Sequence, residues 1–357
     1  MEGRSAWKGK IAVAVPDRGQ LTFMTKFSVL DLAPVREGSN PGDALRNSRD
    51  LARHVESFGY ERFWLAEHHN MVGIASAATS VAIGYVAEGT KTIRVGSGGV
   101  MLPNHSPLVI AEQFGTLASL YPGRIDLGLG RAPGTDQLTL RALRRNPMTA
   151  ENFPQDVLEL QALLGPVQEG QTIQAVPGAD TNVPLWILGS SLFGAQLAAA
   201  LGLPYAFASH FAPEALFQAL QIYRENFKPS PQVKKPYAMV GIIGVAADSD
   251  EEARYLFTTQ QQQSINLFRG TRGRLRPPID DIEDYWTPAE KMRVTTMQSC
   301  AFVGTEESIS PKLTDFIERT GADELMIASS IFDHGARVHS YEIFNRIRQR
   351  LEGGRNA

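Results

Sequence analysis

Short apolar runs rich in β-branched residues alternate with longer helical patterns along most of the chain. The runs are IAVAV (11–15), RFWLA (62–66), IRVGSGG (93–99), RIDLGLG (124–130), PLWILG (184–189), YAFAS (205–209), MVGIIGVAA (239–247) and ELMIASS (324–330). Several are continuously apolar, as parallel strands buried on both faces are. Helical spacing appears in 42–58, where Gly59 stops the pattern, and in an Ala-rich stretch at 76–88. Pro107 opens another helix behind Ser106, and the pattern at 192–201 stops at Gly202. Residues 213–227, 250–268, 306–320 and 337–350 complete the set. Eight alternating units predict an α/β fold, a single (β/α)8 TIM barrel filling one domain over 1–357. An open doubly wound sheet is the rival architecture. Two segments interrupt the rhythm: a loop over 16–41, and RGTRGRLRPPIDDIEDYWTPAEKMRVTTM at 269–297. Long loops in compact domains are usually functional, and both could cover the C-terminal mouth.

The chain has 357 residues, 43% hydrophobic and 20% charged, which suits a globular enzyme with a substantial core. A net charge of −3 without a basic stripe argues against nucleic-acid binding. One cysteine, Cys300, excludes an intrachain disulfide and a cysteine-based metal cluster. No apolar run reaches membrane length and MEGRSAWKGK does not resemble a secretory signal, so a cytoplasmic protein is expected.

Chemistry-bearing residues gather after strand ends. Glu67-His68-His69-Asn70, Asn104-His105, Arg131, Ser190-Ser191, His210 and Asp333-His334 all follow one, and five of the seven histidines are among them. Unrelated loop histidines are the bland alternative, but the loops at the opposite end hold none. HEXXH zinc sites need two histidines four apart on a helix. Here His68 and His69 are adjacent and leave a strand, so they point apart. No metal is expected, although ligation by both histidines and a third residue stays open.

GLGRAPG (128–134) fails as a dinucleotide fingerprint, because Pro133 stands where the third glycine belongs. Arg131 instead suits a phosphate. In LGSSLFGAQLAAALGLP, Ser190 and Ser191 open a helix directly after a strand, and free N–H groups there attract anions. Either serine could simply be an N-cap. The glycines in SGG (97–99) allow a ligand close to the backbone. No G-x-S-x-G elbow is present.

WLAEHHNM, RVGSGGVMLPNHSPLVIAEQFGTLASLYPGRIDLGLGRAPGTD and TGADELMIASSIFDHGARVHSYEIF resemble the bacterial luciferase-like, flavin-dependent monooxygenases over nearly the whole chain. The resemblance implies a barrel that holds reduced FMN at its C-terminal mouth. It further implies oxygenation of a small organic substrate by O2 through a C4a-(hydro)peroxide. It assigns Arg131 to the FMN phosphate, with Ser190, Ser191 and Gly194 in the phosphate loop. Gly98, Gly99 and Met101 fall beside the isoalloxazine, where the family often has a non-proline cis peptide. His68 matches the active-site histidine and His69 its neighbour, and 269–297 matches a mobile lid. Gly130 stands where the luciferase α chain has a reactive cysteine, so the light reaction is not implied. A separate NAD(P)H:flavin reductase and a homodimer built on helices near strands 2 and 3, through IASAATSVAIGYVA (74–87), are also implied. The rivals are a deazaflavin-dependent hydride-transfer enzyme and a non-catalytic flavin-binding protein.

Overall fold

The computed structural model describes residues 25–132 and 136–353. Among the described residues there are nine parallel strands: β1 (Lys26–Asp31), β2 (Arg62–Leu65), β3 (Arg94–Met101), β4 (Ile125–Gly130), β5 (Leu185–Gly189), β6 (Tyr205–Phe207), β7 (Ala238–Ala246), β8 (Ala301–Gly304) and β9 (Glu324–Ala328). Strands β1 to β7 pair in chain order, and β9 closes the ring between β7 and β1. The result is a closed eight-stranded barrel with helices around it. Strand β8 pairs only with the far half of β7, outside the ring.

The first strand of the ring falls in a segment the sequence does not mark as a strand. The run at 11–15 lies outside the described residues, and β1 is KFSVLD, inside the segment read as a loop over 16–41. The hidden cause is buried polarity. Ser28 donates to Glu324 and Asp31 accepts from Arg337 at 2.8 Å, so two polar residues sit in a strand with no exposure. Three helices were also unforeseen, Gln137–Ala142, Phe153–Leu164 and Pro288–Met297. The last occupies the end of the expected lid. Thr287 caps it reciprocally with Glu290, and Pro288 opens its first turn.

Strand parity sorts the core. Phe63 and Leu65 of β2 face the helices, within the large layer shared with Phe27, Val95 and Leu127. Trp64 and Ala66 face inward and pack with Leu30, Trp186, Ala206, Met239 and Met326. Below this apolar layer the barrel floor is a charge network. Arg62 bridges Glu324 and Asp126, each at 2.8 Å, and lies over the Trp186 ring. Arg94 also reaches Asp126, and the Tyr237 hydroxyl donates to Glu324 at 2.8 Å. Each buried charge here has an opposite partner, as burial demands. The floor is thus sealed, and chemistry is left to the opposite rim.

Candidate active site at the barrel mouth

At that rim the chain after β2 continues through Ala66 to Glu67, His68 and His69. His68 keeps the inward parity of Trp64 and Ala66, whereas Glu67 turns toward β3. Glu67 is 2% exposed and collects three contacts. Its Oε1 meets His69 Nε2 at 2.6 Å and His105 Nε2 at 2.7 Å, and its Oε2 accepts from the Met101 amide at 3.0 Å. Burial alone would raise this carboxyl. The bonds from His105 and His69, with the Met101 amide, outweigh it and bring the pKa to about 2. The donor atoms of Glu67, His69 and His105 are also close enough together to hold a metal ion. His68, weighed as a ligand from the sequence, is not in that set.

His68 is different in kind. Its Nδ1 is buried and has no hydrogen-bond partner. Burial lowers its pKa to about 4, with Arg272 and His69 adding to the effect and Glu67 opposing it. His210, after β6, shares both features. Its Nδ1 is buried and unpartnered against the Gly241 backbone, and burial with the nearby His68 lowers its pKa to about 4. Both imidazoles are therefore neutral at pH 7 and able to accept a proton. His334, grouped with these from the sequence, belongs elsewhere: it meets Asp50 at 2.8 Å.

Strand β3, paired with β2 and tied to Glu67 at Met101, forms a ledge at the same rim. The Gly98–Gly99 peptide is cis, at the position expected. There β3 gains one residue over β4, the register jumping between Ser97 and Val100. Glycine is needed at both positions. A Cβ on Gly98 would lie 2.6 Å from Leu30 Cδ1, and one on Gly99 would lie 2.7 Å from the Gly128 carbonyl oxygen. The bare backbone leaves room for a flat ligand.

A second cluster follows β4 and β5. Arg131 is exposed and stacks over Phe193, its guanidinium carbon 4.1 Å from the ring centre. Phe193 belongs to the first turn of the helix Leu192–Leu201, and so does the buried Gly194. Ser191 holds the N-cap position but makes no capping bond. Its hydroxyl and the first N–H groups of the helix are available to an anion beside Arg131. Ser190 precedes it at the end of β5 and is partly buried. The structure thus brings Arg131 and the helix start together, and separately ties Glu67, the neighbour of His68, to Met101 at the end of the Gly98–Gly99 ledge. Glu67, His105 and His210 were noted in the sequence as strand-end residues but not chosen. Their position two to four residues after the C-terminal end of a strand, shared with His68, was the available signal.

Residues 25–324 match the family model described as luciferase-like monooxygenase. The chain belongs to this family. A luciferase-like monooxygenase of Escherichia coli K12 is 56% identical over 328 residues, 92% of this chain and 98% of the relative. An N-acetyl-S-alkylcysteine monooxygenase of Bacillus subtilis is 30% identical, covering 90% of this chain and 98% of its own length. Among solved structures, apo-MsnO8 superposes with a TM-score of 0.85 at 34% identity, over 91% of this chain and 98% of that one. Two more distant structures share the fold. One is the FMN complex of the oxygenating constituent of 3,6-diketocamphane monooxygenase from Pseudomonas putida, at TM-score 0.69 and 15% identity, covering 90% of this chain and 97% of that one. The other is an F420-dependent secondary alcohol dehydrogenase, at TM-score 0.64 and 17% identity, covering 90% and 98%. No helix of the described residues is long and apolar enough to cross a membrane.

Proposed function

We propose that this protein is an FMN-dependent monooxygenase that uses reduced FMN and O2 to oxygenate a small organic substrate. The observation that carries the reading is the pairing of an anion cradle with a bare-backbone ledge on one barrel rim. Arg131, Ser190, Ser191 and the helix start at Gly194 would hold the phosphate. Gly98, Gly99 and Met101 would lie along the ring system, where side chains are excluded at the two glycines. When bound, reduced FMN supplies the electrons that activate O2.

The chain's own part is positioning and proton handling. His68, neutral and with a buried unpartnered Nδ1, is the proton donor or acceptor at the ledge. His69 acts through Glu67, as one of two imidazoles that fix the carboxylate. That carboxylate holds the Met101 amide and so the end of the ledge. Residues 269–297 act as a lid that limits water at the mouth. Reduced flavin comes from a separate NAD(P)H:flavin reductase. A homodimer is proposed through the helix Thr79–Glu88, where Val81 is 72% exposed.

The rival is deazaflavin-dependent hydride transfer, favoured by the F420-dependent structure on the same fold. Parallel anaerobic titrations with reduced FMN and reduced F420, followed by rapid mixing with O2, separate the two. Tight binding of reduced FMN, with an absorbance transient that substrate shortens, is expected. Preference for F420, or reoxidation no faster than free flavin with no transient, would overturn the proposal.

A further inference from the structure

The lid carries five arginines; Arg293 stacks over Phe268, its guanidinium carbon 4.3 Å from the ring centre, and three others are held by polar partners. Arg269 meets Glu290 at 2.7 Å, Arg274 donates to the Ser39 carbonyl at 3.0 Å, and Arg276 meets Glu37 at 3.3 Å and the Tyr285 hydroxyl at 3.1 Å. Arg272 is exposed and makes no hydrogen bond or ion pair with any described residue.

Its backbone is nonetheless well placed. Leu275 is 2% exposed; its N–H donates to Val35 at 2.9 Å and its carbonyl accepts from Glu37 at 2.8 Å. Val35 in turn donates to the Gly73 carbonyl at 2.9 Å. Gly73 and Gly273 touch so closely that a Cβ on Gly73 would overlap the Gly273 carbonyl oxygen. Gly73 belongs to the turn that follows His68, His69 and Asn70. The lid is therefore fastened to that turn, and Arg272, one residue before the contact, stands beside the mouth. Its charge bears on the His68 imidazole.

We propose that Arg272 recognises an anionic group on the substrate, a carboxylate or a sulfonate, so that the substrate is a small organic acid held between lid and ledge. The proposal rests on the monooxygenase reading above. The local balance of charge supports it. Glu67, the acid nearest His68 in sequence, is already engaged by His69, His105 and the Met101 amide. The flavin phosphate has its own cation in Arg131, on a different loop. The free Arg272 guanidinium has no partner of opposite sign among the described residues, and its planar fork suits a two-oxygen anion.

The test uses matched pairs of short alkyl carboxylates and their methyl esters, and of alkanesulfonates and the corresponding neutral sulfones. Binding is measured by calorimetry with and without reduced FMN, in the wild type, Arg272→Met, Arg272→Lys and the remote control Arg254→Met. The wild type and Arg254→Met should prefer the acids by about tenfold or more. Arg272→Met should lose that preference and Arg272→Lys regain part of it, with reduced-FMN affinity unchanged in both. No acid preference in the wild type, or one that survives Arg272→Met, would overturn the proposal. So would a parallel loss of FMN affinity, which would make Arg272 a cofactor residue. If FMN fails to bind while an Arg272-dependent acid preference persists, the flavin reading falls and the anion site stands.

Discussion

Glu67 and His105 meet at 2.7 Å across 38 residues of sequence, and this contact ties the end of β2 to the chain that leaves β3. The same carboxylate holds the Met101 amide, so the ledge at Gly98–Gly99 is anchored from one side by a single buried charge. Replacing Glu67 with Gln keeps the shape but leaves one acceptor for two imidazoles. The change should cost about 2 kcal/mol or more of stability. Urea unfolding of Glu67→Gln gives the number, and wild-type stability in that variant would mean the cluster is not structural.

Arg131 should discriminate by phosphate. Arg131→Ala is expected to weaken FMN binding by about 10- to 100-fold, the range of a lost charge-assisted contact. Riboflavin, which lacks the phosphate, should bind wild type and variant alike. Equal weakening of both ligands would move Arg131 from the phosphate to the ring system.

For His68 the expected signature is a split. His68→Ala should lower turnover by about 100-fold or more, in the range of general acid–base contributions. Reduced-FMN affinity should change little. Equal loss of both would leave His68 as a packing residue of the mouth.

Acid should loosen the fold in a defined window. His68 and His210 titrate near 4 when folded, because burial disfavours their charged forms, against 6.5 when free. Between those values the unfolded chain binds more protons, so stability is complete above pH 6.5 and is lost as pH falls toward 4. Glu67 extends the loss from 4.5 toward 2, since its folded pKa is about 2. Denaturation midpoints measured from pH 7 to 4 should fall steadily, and less steeply in His210→Asn. An unchanged slope in that variant would remove His210 from the account.

The barrel was legible wherever strands are apolar throughout. Strands β2 to β7 and β9 follow the runs that predict them, with shifts of a few residues at their ends. Strand β1 escaped because its polar residues are buried by partners far along the chain, Glu324 and Arg337, which local pattern cannot reveal. Strand β8 lies outside the ring and alternates partly exposed with buried residues, so it lacks the continuous burial that marks strands as short as β2 and β6. The site was half legible for a similar reason. Arg131, Ser191 and His68 follow strand ends, where position alone suggests chemistry. Arg272 sits in a Gly- and Arg-rich stretch that reads as solvated surface. Its difference from Arg269, Arg274 and Arg276 emerges only when the partners of each are seen.

The position of β8 outside the ring has a consequence for how such a protein can change. The lid leaves the helix Asp250–Phe268 and returns through β8, which hangs on the far half of β7. Ring closure between β7 and β9 runs from Met239 to Ile243, sharing only Ile243 with the β8 pairing. Changes of length or sequence within 277–287 therefore fall outside the strand pairs that close the ring. The proposed selector of substrate is thus a cassette joined to the rim at Val35 and Gly73 but not to the strand pairs that close the ring, so new specificities can arise there by changes between those joints.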